Sequence, residues 1–287
     1  MSLSMRSAMQ TDFRTIDGLR IRFAESEQRD DHALLLSPWP ETLYAFEQMW
    51  DRLGRDTHLV AVDLPGFGHS EGSDSLYAPR AMGEFVTRFA DEFRLEQPHI
   101  VGPDIGTSAA LFAAADNPRR YRSLVVGSGG VSYPLELGGS LQGWVEAPDL
   151  NTLRRGDGRQ VVAGAIHGLE RYPLPEFVRE DYMSAYEGER FAESAKYVRA
   201  YPTELPVLAN LLPTIETPVQ IICAMWDAKV PPSNNRYLHK RLPNSRLDLI
   251  DAAHFPWEDA PGTYADLVTT WWAGGYETNR PKGWTRS

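Results

Sequence analysis

Eight short runs of apolar and β-branched residues recur along the chain and predict β-strands. They are DFRTID (12–17), LRIRFAES (19–26), ALLLS (33–37), HLVAVDL (58–64), HIVGPD (99–104), SLVVGS (123–128), VQIICAMW (219–226) and RLDLIDA (246–252). The first two flank Asp17-Gly18, a dipeptide typical of a tight hairpin turn, so the sheet is predicted to begin with an antiparallel pair. The later runs are nearly continuous in apolar residues, which is typical of strands covered on both faces.

Segments of helical length separate most of these predicted strands. They are Glu41–Leu53, Pro79–Phe93, Thr107–Asp116, Ser233–Leu242 and Pro261–Trp272. Strands that alternate with helices form parallel sheets, because each helix carries the chain back to the start of the next strand. The pattern therefore predicts an α/β fold with a mostly parallel, eight-stranded sheet flanked by helices.

The alternation stops between residues 132 and 213, where no strand pattern occurs and Pro and Gly interrupt the helical patterns. We predict a core formed by residues 1–131 and 214–287, with a helical insert at 132–213 that acts as a lid over a pocket. The alternative interpretation is a set of extra helices packed on the edge of the sheet. The helical insert holds six tyrosines, at positions 133, 172, 182, 186, 197 and 201.

Composition and charge exclude several classes of partner. The chain has 287 residues, 29 Lys and Arg against 39 Asp and Glu, and a net charge of −10, which argues against binding nucleic acid or an anionic membrane surface. Its one cysteine, Cys223, has no partner for an intramolecular disulfide. No apolar run approaches the roughly 20 residues of a membrane helix, and no signal peptide is recognisable, so a cytoplasmic location is predicted. Homodimer formation is left open.

The segment VGPDIGTSAA (101–110) has the pattern of a strand that turns sharply into a helix. Small residues surround Asp104, and such a turn projects its central side chain above the sheet. The amides that follow lie at a helix N-terminus, which favours a negative charge there. Asp104 is therefore a candidate nucleophile. Since Asp is also a favoured N-cap, a capping role is the alternative interpretation.

Two further residues complete a candidate triad in the chain order nucleophile, acid, histidine. Asp227, in MWDAKVPP, follows one predicted strand, and His254, in IDAAHFPWEDAP, follows the last one. Loops after parallel strands meet at the same edge of a sheet, so we expect Asp104 and Asp227 each within hydrogen-bonding reach of His254, directly or through one water. The loop Ser37-Pro38-Trp39-Pro40 is expected to supply a backbone N–H from Trp39 which, with that of Ile105, forms an oxyanion hole.

The segments LLLSPWPE, VAVDLPGFGHSEG, VGPDIGTSAALFAA, MWDAKVPP and AAHFPWEDAP together resemble the α/β-hydrolases with an aspartate nucleophile, namely the epoxide hydrolases and haloalkane dehalogenases. The resemblance covers residues 12–131 and 214–273. It implies the α/β-hydrolase fold, with Asp104 as nucleophile, His254 as the base that activates water and Asp227 as the carboxylate that orients His254. It implies no cofactor and no metal ion.

The chain departs from the family pattern at several positions. Ser37-Pro38-Trp39-Pro40 stands where the family usually has His-Gly-x-Pro. The resembling dehalogenases carry a halide-binding Trp directly after the nucleophile, where this chain has Ile105. The segment YPTELP (201–206), in contrast, resembles the joint between lid and core of dehalogenases. The paired arginines of fluoroacetate-type enzymes are absent after Asp104.

Epoxide hydrolases use lid tyrosines to protonate the opening oxygen. We therefore predict that Tyr197, together with Tyr133 or Tyr182, contacts the substrate, and that Trp39 contacts it as well. The alternative interpretation is that these tyrosines only pack in the hydrophobic core.

The residue type at position 104 indicates the class of electrophile. A serine that attacked a saturated carbon would form an ether that water cannot hydrolyse, whereas a carboxylate forms an alkyl ester with a carbonyl. The predicted substrate is therefore a small apolar organic molecule whose sp³ carbon carries a leaving group, and water is the second reactant. Epoxide hydrolysis is the first hypothesis and haloalkane dehalogenation the second. The third is a binding protein that retains the fold without turnover.

Overall fold

All eight predicted strands form, and they lie in one sheet. They are β1 (Thr11–Ile16), β2 (Leu19–Glu25), β3 (Asp31–Leu36), β4 (Thr57–Val62), β5 (His99–Pro103), β6 (Ser123–Gly127), β7 (Val219–Ala224) and β8 (Ser245–Ile250). The computed structural model, which describes residues 9–167, 169 and 174–277, orders them β1-β2-β4-β3-β5-β6-β7-β8. β1 and β4 each pair antiparallel with β2, and the remaining pairs are parallel. The predicted eight-stranded, mostly parallel sheet is confirmed.

Helices connect the strands and cover both faces of the sheet. They are α1 (Trp50–Leu53), α2 (Pro79–Glu92), α3 (Ile105–Asp116), α4 (Gly139–Glu146), α5 (Asn151–Arg155), α6 (Gly158–Ile166), α7 (Glu176–Ala185), α8 (Arg190–Ser194), α9 (Lys196–Arg199), α10 (Tyr201–Leu211), α11 (Ser233–Arg241), α12 (Pro256–Asp259) and α13 (Pro261–Thr270). Short 3₁₀ helices occupy Leu43–Met49, Asp74–Leu76 and Leu212–Thr214, and a π-helical turn follows at Trp271–Gly275. None of the helices in the described ranges is long and apolar enough to cross a membrane.

The predicted helix at Glu41–Leu53 differs from expectation, because most of it is a 3₁₀ helix that precedes the single turn of α1. Leu43, Phe46 and Met49 are buried at a spacing of three residues, which places them on one side of a helix with three residues per turn. The buried carboxylate of Asp63 accepts a hydrogen bond from the Leu43 N–H at 2.6 Å and so fixes the start of this helix.

Alternating side chains of the central strands build two hydrophobic cores, one on each face of the sheet. On β3, Leu34 and Leu36 belong to the core that contains α2 and α3, while Ala33 and Leu35 belong to the core that contains α1 and α13. The two-residue period of a strand requires this division. Because both faces are covered, polar side chains gather at the loops that leave the carboxyl edge of the sheet.

The chain between β6 and β7 holds the helices α4 to α10, and its described residues include no strand. Polar contacts tie this helical insert to the sheet. Arg22 on β2 forms an ion pair with Asp181 on α7 at 2.8 Å, and the Trp39 indole N–H donates to Ser194 on α8 at 2.9 Å. Tyr172 lies outside the described residues. The boundaries 132 and 213 and the role of the insert as a lid stay predictions.

Candidate active site

Asp104 occupies a strained turn between β5 and α3. Its φ of 50° and ψ of −120° lie outside the regions that most residues adopt, although Asp and Asn tolerate positive φ better than others. The turn is tight enough that a Cβ on Gly102 would lie 2.6 Å from the carbonyl oxygen of Gly106. The Asp104 N–H donates to the Gly127 carbonyl at 2.9 Å and so anchors the turn to β6. The side chain makes no capping hydrogen bond to α3, so the structure does not support the capping interpretation.

The three candidate triad residues meet at the carboxyl edge of the sheet. His254 Nε2 lies 3.9 Å from Asp104 Oδ1, and His254 Nδ1 lies 2.9 Å from Asp227 Oδ2. A carboxylate only accepts hydrogen bonds, so this contact requires the proton on Nδ1 and leaves Nε2 toward Asp104. The distance of 3.9 Å between Nε2 and Oδ1 exceeds a direct hydrogen bond, and catalytic contacts of this kind are often longer in sites without substrate.

Asp227 is held by the backbone of its own loop. Its Oδ1 accepts hydrogen bonds from the N–H groups of Lys229 at 2.9 Å and Val230 at 2.8 Å, which leaves Oδ2 for His254. Since Asp227 and His254 are both buried, the contact between them is shielded from water. The geometry suits a carboxylate that orients an imidazole.

Backbone N–H groups surround the Asp104 carboxylate. The Trp39 N–H donates to Asp104 Oδ2 at 2.8 Å. The N–H of Ile105, the first residue of α3, follows this carboxylate in the chain and favours its charged form. Burial raises the pKa of the Asp104 carboxyl, while His254 and the two N–H groups act in the opposite direction by favouring the anion. The two predicted oxyanion donors therefore lie against the side chain on which the predicted oxyanion would form.

The side chain of Trp39 is fixed by the helical insert. Its indole N–H donates to Ser194 Oγ at 2.9 Å, and its ring stacks on Phe191 with a centroid distance of 5.1 Å. The Trp144 ring packs edge-on against it at 5.5 Å. The helical insert thus positions the loop that carries the N–H donor of Trp39.

A cavity of about 200 Å³ opens beside these groups. Its lining is mostly apolar, and its polar side chains include those of the nucleophile candidate, the histidine and a lysine. The lining residues are Trp39, Pro40, Asp104, Gly130, Ser140, Leu141, Trp144, Val161, Gly164, Ala165, Val198, Tyr201, Lys229, Val230, His254 and Phe255. α4, α6, α9 and α10 of the helical insert supply much of one wall.

The three tyrosines predicted to bind substrate do not line this cavity. Tyr197 donates its hydroxyl to the Ile105 carbonyl at 3.0 Å, Tyr182 donates to Glu258 at 2.6 Å, and Tyr133 is 52% exposed. Tyr201 lines the cavity instead. Burial raises the pKa of Tyr201 well above its ordinary value, so its hydroxyl remains a proton donor at neutral pH. Which tyrosine faces the cavity depends on the packing of α7, α9 and α10, which tyrosine content alone does not reveal.

Two buried glutamates beside the site were not singled out by the sequence reasoning. Glu41 accepts a hydrogen bond from the Trp257 indole at 2.8 Å, and Glu258 accepts from Tyr182 at 2.6 Å and from Gln48 at 2.7 Å. Burial raises the pKa of Glu41 well above its ordinary value and that of Glu258 to about 8. Glu41 directly follows Pro38-Trp39-Pro40, and Glu258 directly follows Pro256-Trp257. Both segments adjoin loops of the site, so this shared Pro-Trp pattern is the sequence feature that could have identified the two glutamates.

Replacing Glu258 by Gln is expected to flatten the dependence of thermal stability on pH. Between pH 4.5, the ordinary pKa, and about 8, folded Glu258 keeps a proton that the unfolded chain has lost. Stability therefore falls as pH rises through this window. We expect the Tm of the wild type to drop between roughly pH 5 and pH 8 and that of Glu258→Gln to drop less over the same range. The exposed Glu84→Gln variant is the control and should follow the wild type; parallel curves for all three proteins would contradict this prediction.

The sequence was compared with protein families and with known proteins. The model of the α/β hydrolase fold family matches residues 34–261. The chain is 28% identical over 264 residues to RutD of Caulobacter sp. (strain K31), to which carbamate hydrolase activity is ascribed by name, with 85% of this chain and 89% of that protein covered. It is 25% identical to the pimeloyl-[acyl-carrier protein] methyl ester esterase of Neisseria meningitidis (serogroup B, serotype 15), with 84% and 92% covered.

A solved structure shows the same fold at low sequence identity. The wild-type Cfl2 protein of Burkholderia cenocepacia superposes with a TM-score of 0.79 at 20% identity, covering 94% of this chain and 97% of that one. The family model matches most of the chain, in agreement with the eight-stranded, mostly parallel sheet. The chain belongs to the α/β hydrolase fold family, and it is a hydrolase.

Proposed function

We propose that this hydrolase converts an epoxide to a diol through an alkyl ester formed on Asp104. The observation that carries the proposal is a buried carboxylate, hydrogen-bonded to the Trp39 N–H, at the position where the fold presents its nucleophile. His254 lies behind this carboxylate with its second nitrogen on Asp227. The helices α4 to α10 would act as the lid that closes the cavity.

The proposed reaction has two steps. In the first, Asp104 attacks a saturated carbon of the epoxide, the C–O bond of the ring breaks, and the opening oxygen takes a proton from Tyr201. In the second, His254 removes a proton from water, and the resulting hydroxide attacks the ester carbonyl carbon of Asp104. The Trp39 and Ile105 N–H groups stabilise the oxyanion, whose collapse breaks the bond between the carbonyl carbon and the substrate oxygen. The departing alkoxide takes the proton of the added hydroxyl and leaves as the diol, which restores the Asp104 carboxylate. The proton on His254 returns to Tyr201 through solvent, so both groups are ready for the next turnover.

Ester or carbamate hydrolysis, as named for the relatives, fits an aspartate poorly. A carboxylate that adds to an ester carbonyl forms a tetrahedral intermediate from which the carboxylate itself is the better leaving group, so the intermediate reverts. Attack on a strained sp³ carbon has no such return path, because the ring strain is released. The residue at position 104 therefore favours an alkylating substrate over an acylating one.

Dehalogenation is the second candidate, because a halide leaves from the same kind of carbon. A leaving halide needs N–H donors in the cavity rather than a proton. The indole N–H of Trp39 is already bonded to Ser194, and Ile105 has no side-chain donor. Tyr201, whose side chain lines the cavity, offers a hydroxyl as proton donor and so supports an epoxide as the first choice.

A turnover screen tests the proposal. Small epoxides and haloalkanes are incubated with the protein, and diol and halide release are measured separately. We expect diol formation from epoxides. Halide release without diol formation would indicate a dehalogenase, and the absence of both products would contradict the proposed substrate class.

Replacing Tyr201 by Phe is expected to lower kcat on epoxides by about 10²-fold or more, the usual contribution of a positioned general acid. Tyr133→Phe removes the same hydroxyl from a half-exposed side chain outside the cavity and should leave kcat unchanged. Steady-state kinetics of both variants measure the difference. Equal activity of Tyr201→Phe and the wild type would mean that another group protonates the opening oxygen.

A further inference from the structure

Lys229 places an ammonium group in the cavity, and the sequence reasoning gave it no role. It is the single Lys or Arg among the lining residues that the structure describes. Its Nζ lies 4.6 Å from the ring centroid of Phe255, a cation–π contact, and no carboxylate of the described ranges lies within the 4.0 Å of an ion pair. A partly buried cation in this cavity therefore lacks a paired anion.

The backbone of Lys229 is held firmly beside the triad. Its N–H donates to Asp227 Oδ1 at 2.9 Å, and its carbonyl accepts from the Gly138 N–H, just before α4, at 2.8 Å. A Cβ on Gly138 would lie 2.1 Å from the carbonyl oxygen of Ala228, so the two segments are in close contact. This anchoring fixes the backbone position from which the Lys229 side chain reaches the cavity.

The surroundings make this ammonium responsive to an added anion. Burial lowers the pKa of Lys229, while the carboxylates of Asp104, Glu41 and Asp227 act in the opposite direction. Charge in an apolar environment is costly unless it is paired. The other lining side chains, such as Leu141, supply mainly hydrocarbon surface. An anion brought by a ligand would supply the missing partner.

We propose that Lys229 binds a carboxylate of the substrate, so that the epoxides this protein prefers are small epoxy acids. The inference rests on the function proposed above and narrows its substrate class. A single lysine suits a monoanion, whereas a phosphate monoester carries more charge and more acceptor oxygens than one ammonium satisfies. The apolar lining would hold the hydrocarbon part of the molecule while the carboxylate lies at Lys229 and the epoxide carbon at Asp104.

Paired substrates test this inference through kinetics. Small epoxy acids are compared with their primary amides, which have the same shape without the charge. We expect the wild type to show a higher kcat/KM on the acids. Lys229→Met should lower kcat/KM on the acids by about 10- to 10²-fold, the range of a lost charged hydrogen bond, and leave the amides within about threefold. Lys229→Arg should retain most of the higher kcat/KM on acids relative to amides. Lys240→Met, which changes an exposed lysine, should behave as the wild type.

A binding measurement separates this inference from the epoxide hypothesis. Butyrate, an unreactive carboxylate, is titrated into the wild type and Lys229→Met by calorimetry, and butyramide is the neutral control. Butyrate binding that requires Lys229 supports the inference even if no epoxide is turned over, in which case only the proposed reaction fails. The inference is overturned if Lys229→Met lowers turnover of acids and amides equally, since the lysine would then act on the reacting oxygen. It is also overturned if the variant, folded as judged by its Tm, changes neither turnover nor butyrate binding.

Discussion

Replacing Asp104 by Asn is expected to lower kcat on epoxides by at least about 10⁴-fold, the usual size of the loss when a catalytic nucleophile is removed. An amide does not attack a saturated carbon at a useful rate. The change preserves the shape of the side chain, and Asn tolerates the positive φ of this turn, so the fold should be retained. Steady-state kinetics measure the loss, and thermal unfolding verifies that the variant is folded.

Isotope labelling tests the covalent step of the same reaction. If water attacks the carbonyl carbon of the Asp104 ester, the product takes an original oxygen of Asp104 and the enzyme takes one from water. After a single turnover in ¹⁸O-water, we expect the label in the peptide that contains Asp104 and an unlabelled diol. The peptide that contains Asp227 is the internal control and should stay unlabelled.

The opposite labelling pattern would contradict the covalent mechanism. If Asp104 acted as a general base for direct attack by water, the diol would carry the label in the first turnover. The Asp104 peptide would then be unlabelled, and no adduct would form. The experiment thus distinguishes two roles of one carboxylate that a loss of activity alone cannot separate.

Replacing His254 by Ala is expected to stop the reaction after the first step. Without the imidazole, no base activates water, so hydrolysis of the ester should slow by about 10²- to 10⁴-fold. The first step needs only the Asp104 carboxylate and a proton donor. We therefore expect the enzyme to accumulate a covalent adduct that mass spectrometry of the intact protein detects.

The mass of that adduct identifies the leaving group. Opening an epoxide keeps every substrate atom, so the protein gains the full mass of the substrate. Displacing a halide loses hydrogen halide, and the gain is smaller by that amount. The exposed His239→Gln variant is the control and should turn over normally without an adduct. A His254→Ala protein that is folded, inactive and free of adduct would place His254 before the first step and contradict the proposed order.

The strands and the meeting point of the candidate triad could be predicted from the sequence. A strand that is covered on both faces of the sheet needs a continuous apolar run, such as residues 99–104. Such a run therefore predicts a strand even when its neighbours in the sheet are unknown. Asp104, Asp227 and His254 each follow such a strand, and a parallel sheet brings these loops to one edge whatever their separation along the chain. The contact of the Trp39 N–H with Asp104 was predicted for the same reason, because the loop that carries Trp39 and the turn at Asp104 both lie at that edge.

The tertiary structure alone decided which side chains face the cavity. Tyr182, Tyr197 and Tyr201 are similar in the sequence, but only Tyr201 lines the cavity, because the packing of short helices sets each direction separately. Lys229 lies at the cavity next to a segment about 90 residues away along the chain, to which it is joined by the hydrogen bond from Gly138. The spacing of apolar residues indicates which side of a helix or strand is buried. It does not indicate against which other helix or strand that side packs, because this depends on contacts between segments that are distant in the sequence.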